Sequence, residues 1–212
     1  MTTPTYEYVT DGAEIYRRSF GTIRAEADLS ALPPDVAHVA VRMIHAAADT
    51  ALPRDIAHSP GIVAACRAAL RAGAPILCDS QMVASGVIRS RLPADNEVIC
   101  HMGEPGLTAL ANQRNTTKAA AAVEIWLPRL AGAGVAIGNA PTALFRLLEV
   151  VRDTGILPAG VIGIPVGFVG AAESKQAAAD NPYGLEYLVV HGRRGGSAIT
   201  SAAVNAIASE AE

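Results

Sequence analysis

The stretch Gly134–Val151, GVAIGNAPTALFRLLEVV, changes its period part-way along. Gly134 to Gly138 is a short apolar run, Asn139-Ala140-Pro141-Thr142 supplies turn residues, and Thr142 to Val151 has helical spacing. Strand, tight loop and helix in that order make the unit of a parallel sheet covered on both faces. The same alternation appears on either side of it. Apolar or β-branched runs occur at Pro75 to Cys78, Glu97 to His101, Gly160 to Ile164 and Glu186 to His191. Helical stretches occur at Gly61 to Arg71, Val83 to Arg89, Thr116 to Leu130 and Ala198 to Ser209. The pattern predicts an α/β fold with a mostly parallel five-stranded sheet. With 212 residues, half of them hydrophobic, residues 1–212 form a single domain with one substantial core.

Composition excludes several functions. A formal net charge of -3 lacks the excess of basic charge that marks a nucleic-acid surface. Lys118 and Lys175 are the only lysines, so positive charge is carried by arginine, whose forked guanidinium suits carboxylates. Cys66, Cys78 and Cys100 are an odd number without metal-ligand spacing, which predicts buried thiols in a reducing compartment and no metal site. The N-terminus has no basic segment followed by an apolar run, so a cytoplasmic location is expected. Glycines and prolines break the longest uncharged run, Thr154 to Ala172, and no membrane span is expected. Gly132, Gly134 and Gly138 precede or lie in a strand, and Ile137 stands where a third glycine belongs, so they are not a dinucleotide fingerprint.

Two features point to a site. The first is the set of strand-end loops, including Asp79-Ser80-Gln81-Met82, Pro165 to Gly170 and Gly192 to Ser197, because open α/β sheets bind ligands at that edge. Asn139 and Ser197 are candidate helix caps there. The second is a helix predicted from Asp35 to about Asp49, started by Pro33-Pro34. On it Asp35, His38, Arg42, His45 and Asp49 recur every three or four residues as a polar stripe, opposite an apolar face of Val36, Ala40, Met43, Ile44 and Ala47. The stripe faces solvent or a site. An imidazole beside an arginine can exchange a proton next to a bound anion.

These residues lie in motifs that resemble the precorrin-8X methylmutase family over nearly the whole chain. The motifs are Ser19-Phe20-Gly21-Thr22-Ile23-Arg24-Ala25-Glu26, Arg42-Met43-Ile44-His45, Asp79-Ser80-Gln81-Met82-Val83, Gly138-Asn139-Ala140-Pro141-Thr142, Pro165 to Lys175, and Gly192-Arg193-Arg194-Gly195-Gly196-Ser197. The resemblance implies a flavodoxin-like three-layer α/β/α sandwich and a homodimer with its site near the subunit interface. It implies isomerisation of precorrin-8X to hydrogenobyrinic acid by migration of a methyl group from C-11 to C-12, with no redox or metal cofactor. The family's catalytic histidine falls on His45 and its substrate-contacting serine and arginine on Ser19 and Arg42. Thr22 and Met82 in the same motifs are further substrate-binding candidates, and Lys118, Arg193 and Arg194 are candidates for the anionic rim of the tetrapyrrole, as are Arg114 and Lys175. The alternatives are a cobalt-precorrin-8 methylmutase or a non-catalytic tetrapyrrole carrier, and transfer of product to other corrin-pathway enzymes is a further expectation.

Overall fold

The computed structural model describes residues 6–181 and 183–209. In chain order its elements are α1 (Gly12–Glu26), α2 (Pro34–Ala47), β1 (Ile56–His58), α3 (Ile62–Arg71), β2 (Ile76–Cys78), α4 (Gln81–Gly86), β3 (Val98–Ile99), α5 (Leu107–Gln113), α6 (Lys118–Leu130), β4 (Gly134–Ile137), α7 (Pro141–Thr154), β5 (Gly160–Gly163), α8 (Ala171–Ala179), β6 (Tyr187–Val190) and α9 (Ser197–Ala208). The strands lie in the order β1-β6-β5-β4-β2-β3. Every neighbouring pair is parallel except β1–β6, which is antiparallel. Numbered among themselves, the five parallel strands have the 2-1-3-4-5 order of a flavodoxin-like sheet.

The sheet thus has six strands among the described residues, not the expected five. The sixth is β1, three half-buried residues too short to carry a period. It is set beside β6 by Ser59, whose N–H donates to the Tyr187 carbonyl at 2.9 Å and whose hydroxyl accepts from the Tyr187 N–H at 2.8 Å. On its other end the His191 N–H donates to the Asp55 carbonyl at 2.7 Å.

Two helical layers cover the sheet. One apolar core joins α1, α2, α3, α4 and α9 to one face, and a second joins α6, α7 and α8 to the other, with α5 packed on α6. Near-continuous burial of β2, β4 and β5 follows from being covered on both sides. Helix α3 packs directly on β5: a Cβ at Gly160 would stand 2.5 Å from Ile62 Cδ1 and 2.6 Å from Cys66 Sγ. Helix α9 is rich in alanine and buried over most of its length, so α2 approaches it closely.

Helix α2 differs from expectation in one instructive way. Its apolar face is buried as predicted, but Arg42 on the polar stripe is only 7% exposed. The cover is α1, which no sequence period announced. Only Phe20 and Ile23 of α1 are buried, and its interior holds Gly21, which costs a helix about 1 kcal/mol relative to alanine. Asp11 caps it by accepting the Ala13 N–H at 2.9 Å. Among the described residues, no helix is long and apolar enough to cross a membrane.

Candidate functional site

Doubly wound sheets bind ligands where strand order reverses, here between the carboxyl ends of β2 and β4. In this protein that crevice is filled from within. The Asp79 carboxylate, 1% exposed, accepts the N–H groups of Gly138 at 2.9 Å, Asn139 at 2.9 Å and Ala140 at 2.7 Å. Burial raises its pKa above the ordinary carboxylate value, and the three N–H donors oppose that rise only in part. The donors a phosphate would need at the start of α7 are therefore engaged. Gly138 is required by a close approach, since a Cβ there would fall 2.6 Å from Thr200 Oγ1 and 2.8 Å from Val83 Cγ2.

The open space lies to one side, in the layer that holds α2. Ser19 of α1 and His45 of α2 are hydrogen-bonded, Oγ to Nδ1, at 2.8 Å. Phe20 meets the His45 ring edge-on at 5.2 Å between centroids, and Tyr16 lies against it at 5.3 Å and 31°. Residues 16, 19 and 20 fall within one helical turn, which is how one helix wraps a single imidazole. Phe20 also carries the Arg42 guanidinium over its ring, 5.5 Å from the centroid. Burial lowers the Arg42 pKa from its ordinary value, Arg91 lowers it further, and Tyr16 acts in the opposite sense. The guanidinium remains charged, because an arginine starts so far above neutrality.

Two cavities flank this cluster. One, about 450 Å³, opens between α2 and α9 and is lined by Tyr16, Arg42, His45, Met82, Ser197 and Asn205 among others. The other, about 610 Å³, lies along α1 and is lined by Tyr16, Arg17, Phe20, Gly21, Arg24 and Arg91 with Ala13. Tyr16 belongs to both walls. An imidazole held by a hydroxyl, aromatic rings beside it and arginines on both sides can bind a broad anionic, partly apolar molecule and exchange a proton with it. Among the described residues, no group of three or more His, Cys, Asp or Glu is placed to hold a metal ion.

A family model described as Precorrin-8X methylmutase matches residues 14–210. The chain belongs to the precorrin-8X methylmutase family. It is similar to a protein named precorrin-8X methylmutase from a Sinorhizobium species, 57% identical over 97% of this chain and 98% of that one. It is 54% identical to a Pseudomonas aeruginosa protein of the same name, over 97% of this chain and 99% of the relative. A cobalt-precorrin-8 methylmutase from Methanothermobacter thermautotrophicus is 36% identical over 92% of each chain. The crystal structure of a Thermus thermophilus precorrin-8X methylmutase superposes with a TM-score of 0.84 at 39% identity, covering 93% of this chain and 95% of that one.

Within this member of the precorrin-8X methylmutase family, the candidate residues fall into two groups. Arg42, His45 and Met82 line the α2–α9 cavity, and Ser19 joins them through its hydrogen bond to His45. Thr22 is exposed on α1 and lines neither flanking cavity, and Lys118 begins α6 in the opposite helical layer, where Arg114 is paired with Glu124 at 3.0 Å. Arg193 lies over the Phe168 ring, 5.3 Å from its centroid. Arg194 pairs with Asp49 at 2.9 Å and Asp55 at 3.4 Å, tying its loop to the end of α2. Lys175 is fully buried, its Nζ donating to the Arg194 carbonyl at 2.5 Å, and burial lowers its pKa to about 8.

The rest of the α2 stripe has structural work. His38 is held toward its neutral form chiefly by burial, and Asp35 accepts the Val36 N–H at 2.9 Å. Asn139 and Ser197 do not cap helices, whereas Ser80 caps α4 and Thr117 caps α6. Cys66, Cys78 and Cys100 are free thiols, the first two buried, and burial pushes Cys66 up to about 12. Tyr16 and Asp79 are the residues that sequence reasoning left without a role. The signal for Tyr16 was its position one turn before Ser19 and Phe20.

Proposed function

We propose that this chain isomerises precorrin-8X to hydrogenobyrinic acid, moving a methyl group from C-11 to C-12 of the tetrapyrrole, with His45 as the general acid. The observation that carries this reading is the Ser19–His45 pair at the wall of an open, arginine-flanked cavity. Ser19 engages Nδ1, so proton exchange with the substrate falls to Nε2. Protonation of the ring C nitrogen drains electron density from the adjoining carbons and eases the methyl shift. The proton returns to Nε2 as the product forms, so the step conserves atoms and charge. General acid help of this kind is worth roughly 10²- to 10⁴-fold.

Arg42 holds a carboxylate of the substrate one helical turn from the acid, and the aromatic rings of Tyr16 and Phe20 keep the imidazole from rotating away. Preference for the metal-free substrate over its cobalt-bearing counterpart is supported by the higher identity to the two relatives named for precorrin-8X. The protein acts as a homodimer in the cytoplasm and passes its product to later corrin-pathway enzymes. Exposure of Phe168 (87%), Val169 (88%) and Met82 (65%) at the strand ends supports a partner copy covering that edge. Free thiols support a reducing compartment.

The test is the visible spectrum of purified protein mixed with precorrin-8X and, separately, with cobalt-precorrin-8. Conversion of the metal-free compound is expected. Conversion of the cobalt compound alone would replace this reading with the anaerobic-route activity, and binding without conversion would replace it with a carrier.

A further inference from the structure

Resting on that reading, we infer that Asn205 is a positioning residue for the reaction: it fixes the wall of the α2–α9 cavity across from His45, and with it the seat of the tetrapyrrole relative to the acid. Helix α9 packs on both α2 and α4, so it floors the cavity between them. Arg42, His45 and Ala46 stand on the α2 side, and Met82, Gly86 and Ile88 on the other. Met82 and Ile88 are exposed apolar side chains, which is what a wall offers to the partly apolar face of a large ligand.

That second wall cannot hold its own place. Helix α4 has six residues, too few for a stable helix by itself, and the chain leaves helical geometry at Val87. Its position comes from one stripe of α9, Ser197, Ser201 and Asn205, spaced four residues apart and all lining the cavity. At the start of α4 the Ser80 hydroxyl, which caps the helix, lies 3.4 Å from the Ser197 hydroxyl. At its end a Cβ on Gly86 would stand 2.7 Å from Ser201 Cβ, so the two helices touch there.

Asn205 makes the firmest tie. It is buried, its Oδ1 accepts the Ile88 N–H at 2.8 Å, and its Nδ2 donates to the Gly86 carbonyl at 2.9 Å. Those two groups flank Val87, so one side chain pairs with the exit of α4 on both sides, as a neighbouring backbone would. In doing so it takes up a helix-end carbonyl that has no partner within the helix. Both residues that it holds line the cavity. A shift of about 1 Å in a residue that seats substrate can cost about 10²-fold in rate, even far from the chemistry. Binding suffers less from such a shift, because α1, α2 and α9 still hold the disc, whereas proton transfer depends on one distance.

The test compares wild-type protein with Asn205→Leu and Asn205→Asp, each assayed below its own melting temperature. The readouts are the single-turnover rate at saturating precorrin-8X and Kd for hydrogenobyrinic acid. Asn205→Leu keeps the size of the side chain and removes both hydrogen bonds, so the rate is expected to fall about tenfold to hundredfold while Kd stays within about fivefold. Asn205→Asp keeps the acceptor for Ile88 and loses the donor to Gly86, and its rate is expected to lie between those of wild type and Asn205→Leu. A residue that served stability alone would lower the melting temperature and leave the rate of the folded protein within about twofold of wild type, and that result in Asn205→Leu would overturn the inference. A loss confined to Kd would overturn it too, since the wall would then bind without positioning. Should Asn205→Leu fail to fold, folded Asn205→Asp decides by the same criterion. Wild-type protein that does not convert precorrin-8X sinks the isomerase reading and this inference together, whereas normal conversion by Asn205→Leu sinks this inference alone.

Discussion

The crevice between β2 and β4 and the cleft beside α2 are built in opposite ways. In the crevice a buried carboxylate, Asp79, engages three backbone N–H groups, so those donors are closed to an incoming anion. In the cleft a buried guanidinium, Arg42, rests on an aromatic ring, and the neighbouring histidine is held by a single hydroxyl. One region spends its carboxylate on the backbone, and in the other an imidazole and a guanidinium line an open cavity. The difference places the proposed active site beside the crevice, in the helical layer that holds α2.

The sharpest way to break that contrast is Asp79→Asn. Turning a donor toward backbone donors is expected to cost about 3 kcal/mol in urea unfolding while turnover by the folded protein stays within about threefold of wild type. A stable variant that had lost substrate binding would mean that the crevice, not the cleft, is the site. Arg42→Met should do the reverse. We expect about 2 kcal/mol of binding to be lost, roughly thirtyfold in Kd, with unfolding stability unchanged or raised because a buried cation has been removed. Loss of stability with intact affinity would make Arg42 a structural residue.

Lys175 sharpens the comparison through pH. Its folded pKa of about 8 lies below the ordinary 10.5, so the folded protein releases this proton first as pH rises. The unfolded chain then binds more protons, and stability must increase across that window. The wild-type protein should gain about 2 kcal/mol relative to Lys175→Met between about pH 8 and pH 10 in urea titrations. A constant difference across that range would show that the ammonium is not penalised by its burial. The smallest effect is expected at Ala48, which ends α2 with φ 51°, a left-handed conformation that disfavours a Cβ. Ala48→Gly should raise stability by about 0.5–1 kcal/mol and leave Kd for hydrogenobyrinic acid within about twofold. A lower melting temperature would mean that the loss of backbone freedom outweighs the relief of strain.

Much of this architecture was legible because apolar runs and turn residues are local. The five parallel strands and the helices α2, α3, α7 and α9 appear within a few residues of where their periods place them. The strand β1 was not legible, since three half-buried residues owe their pairing to Ser59 and Tyr187, far apart in sequence. Helix α1 was hidden for a related reason. With only Phe20 and Ile23 buried, it has little of an apolar stripe, and it packs against the polar side of α2 through a ring that lies under Arg42 and meets His45 edge-on. The α2 stripe therefore gave no sign that Arg42 on it is buried.

Charged residues near the strand ends were the least legible. Arg194 and Lys175 look from sequence like carboxylate binders, yet one spans Asp49 and Asp55 and the other supports the Arg194 carbonyl from inside the fold. Nothing in the sequence says which acid lies opposite which base, because Asp49 and Arg194 are brought together by the packing of α2 beside the loop that leads into α9.

The measurement that bears most directly on the central claim is the single-turnover conversion of saturating precorrin-8X by His45→Ala, followed by visible absorption beside an equilibrium titration with hydrogenobyrinic acid. If His45 delivers the proton, the rate falls roughly 10²- to 10⁴-fold while Kd stays within about threefold of wild type. A rate within about threefold of wild type, with binding intact, would contradict the account and return the chemistry to some other group in the cleft.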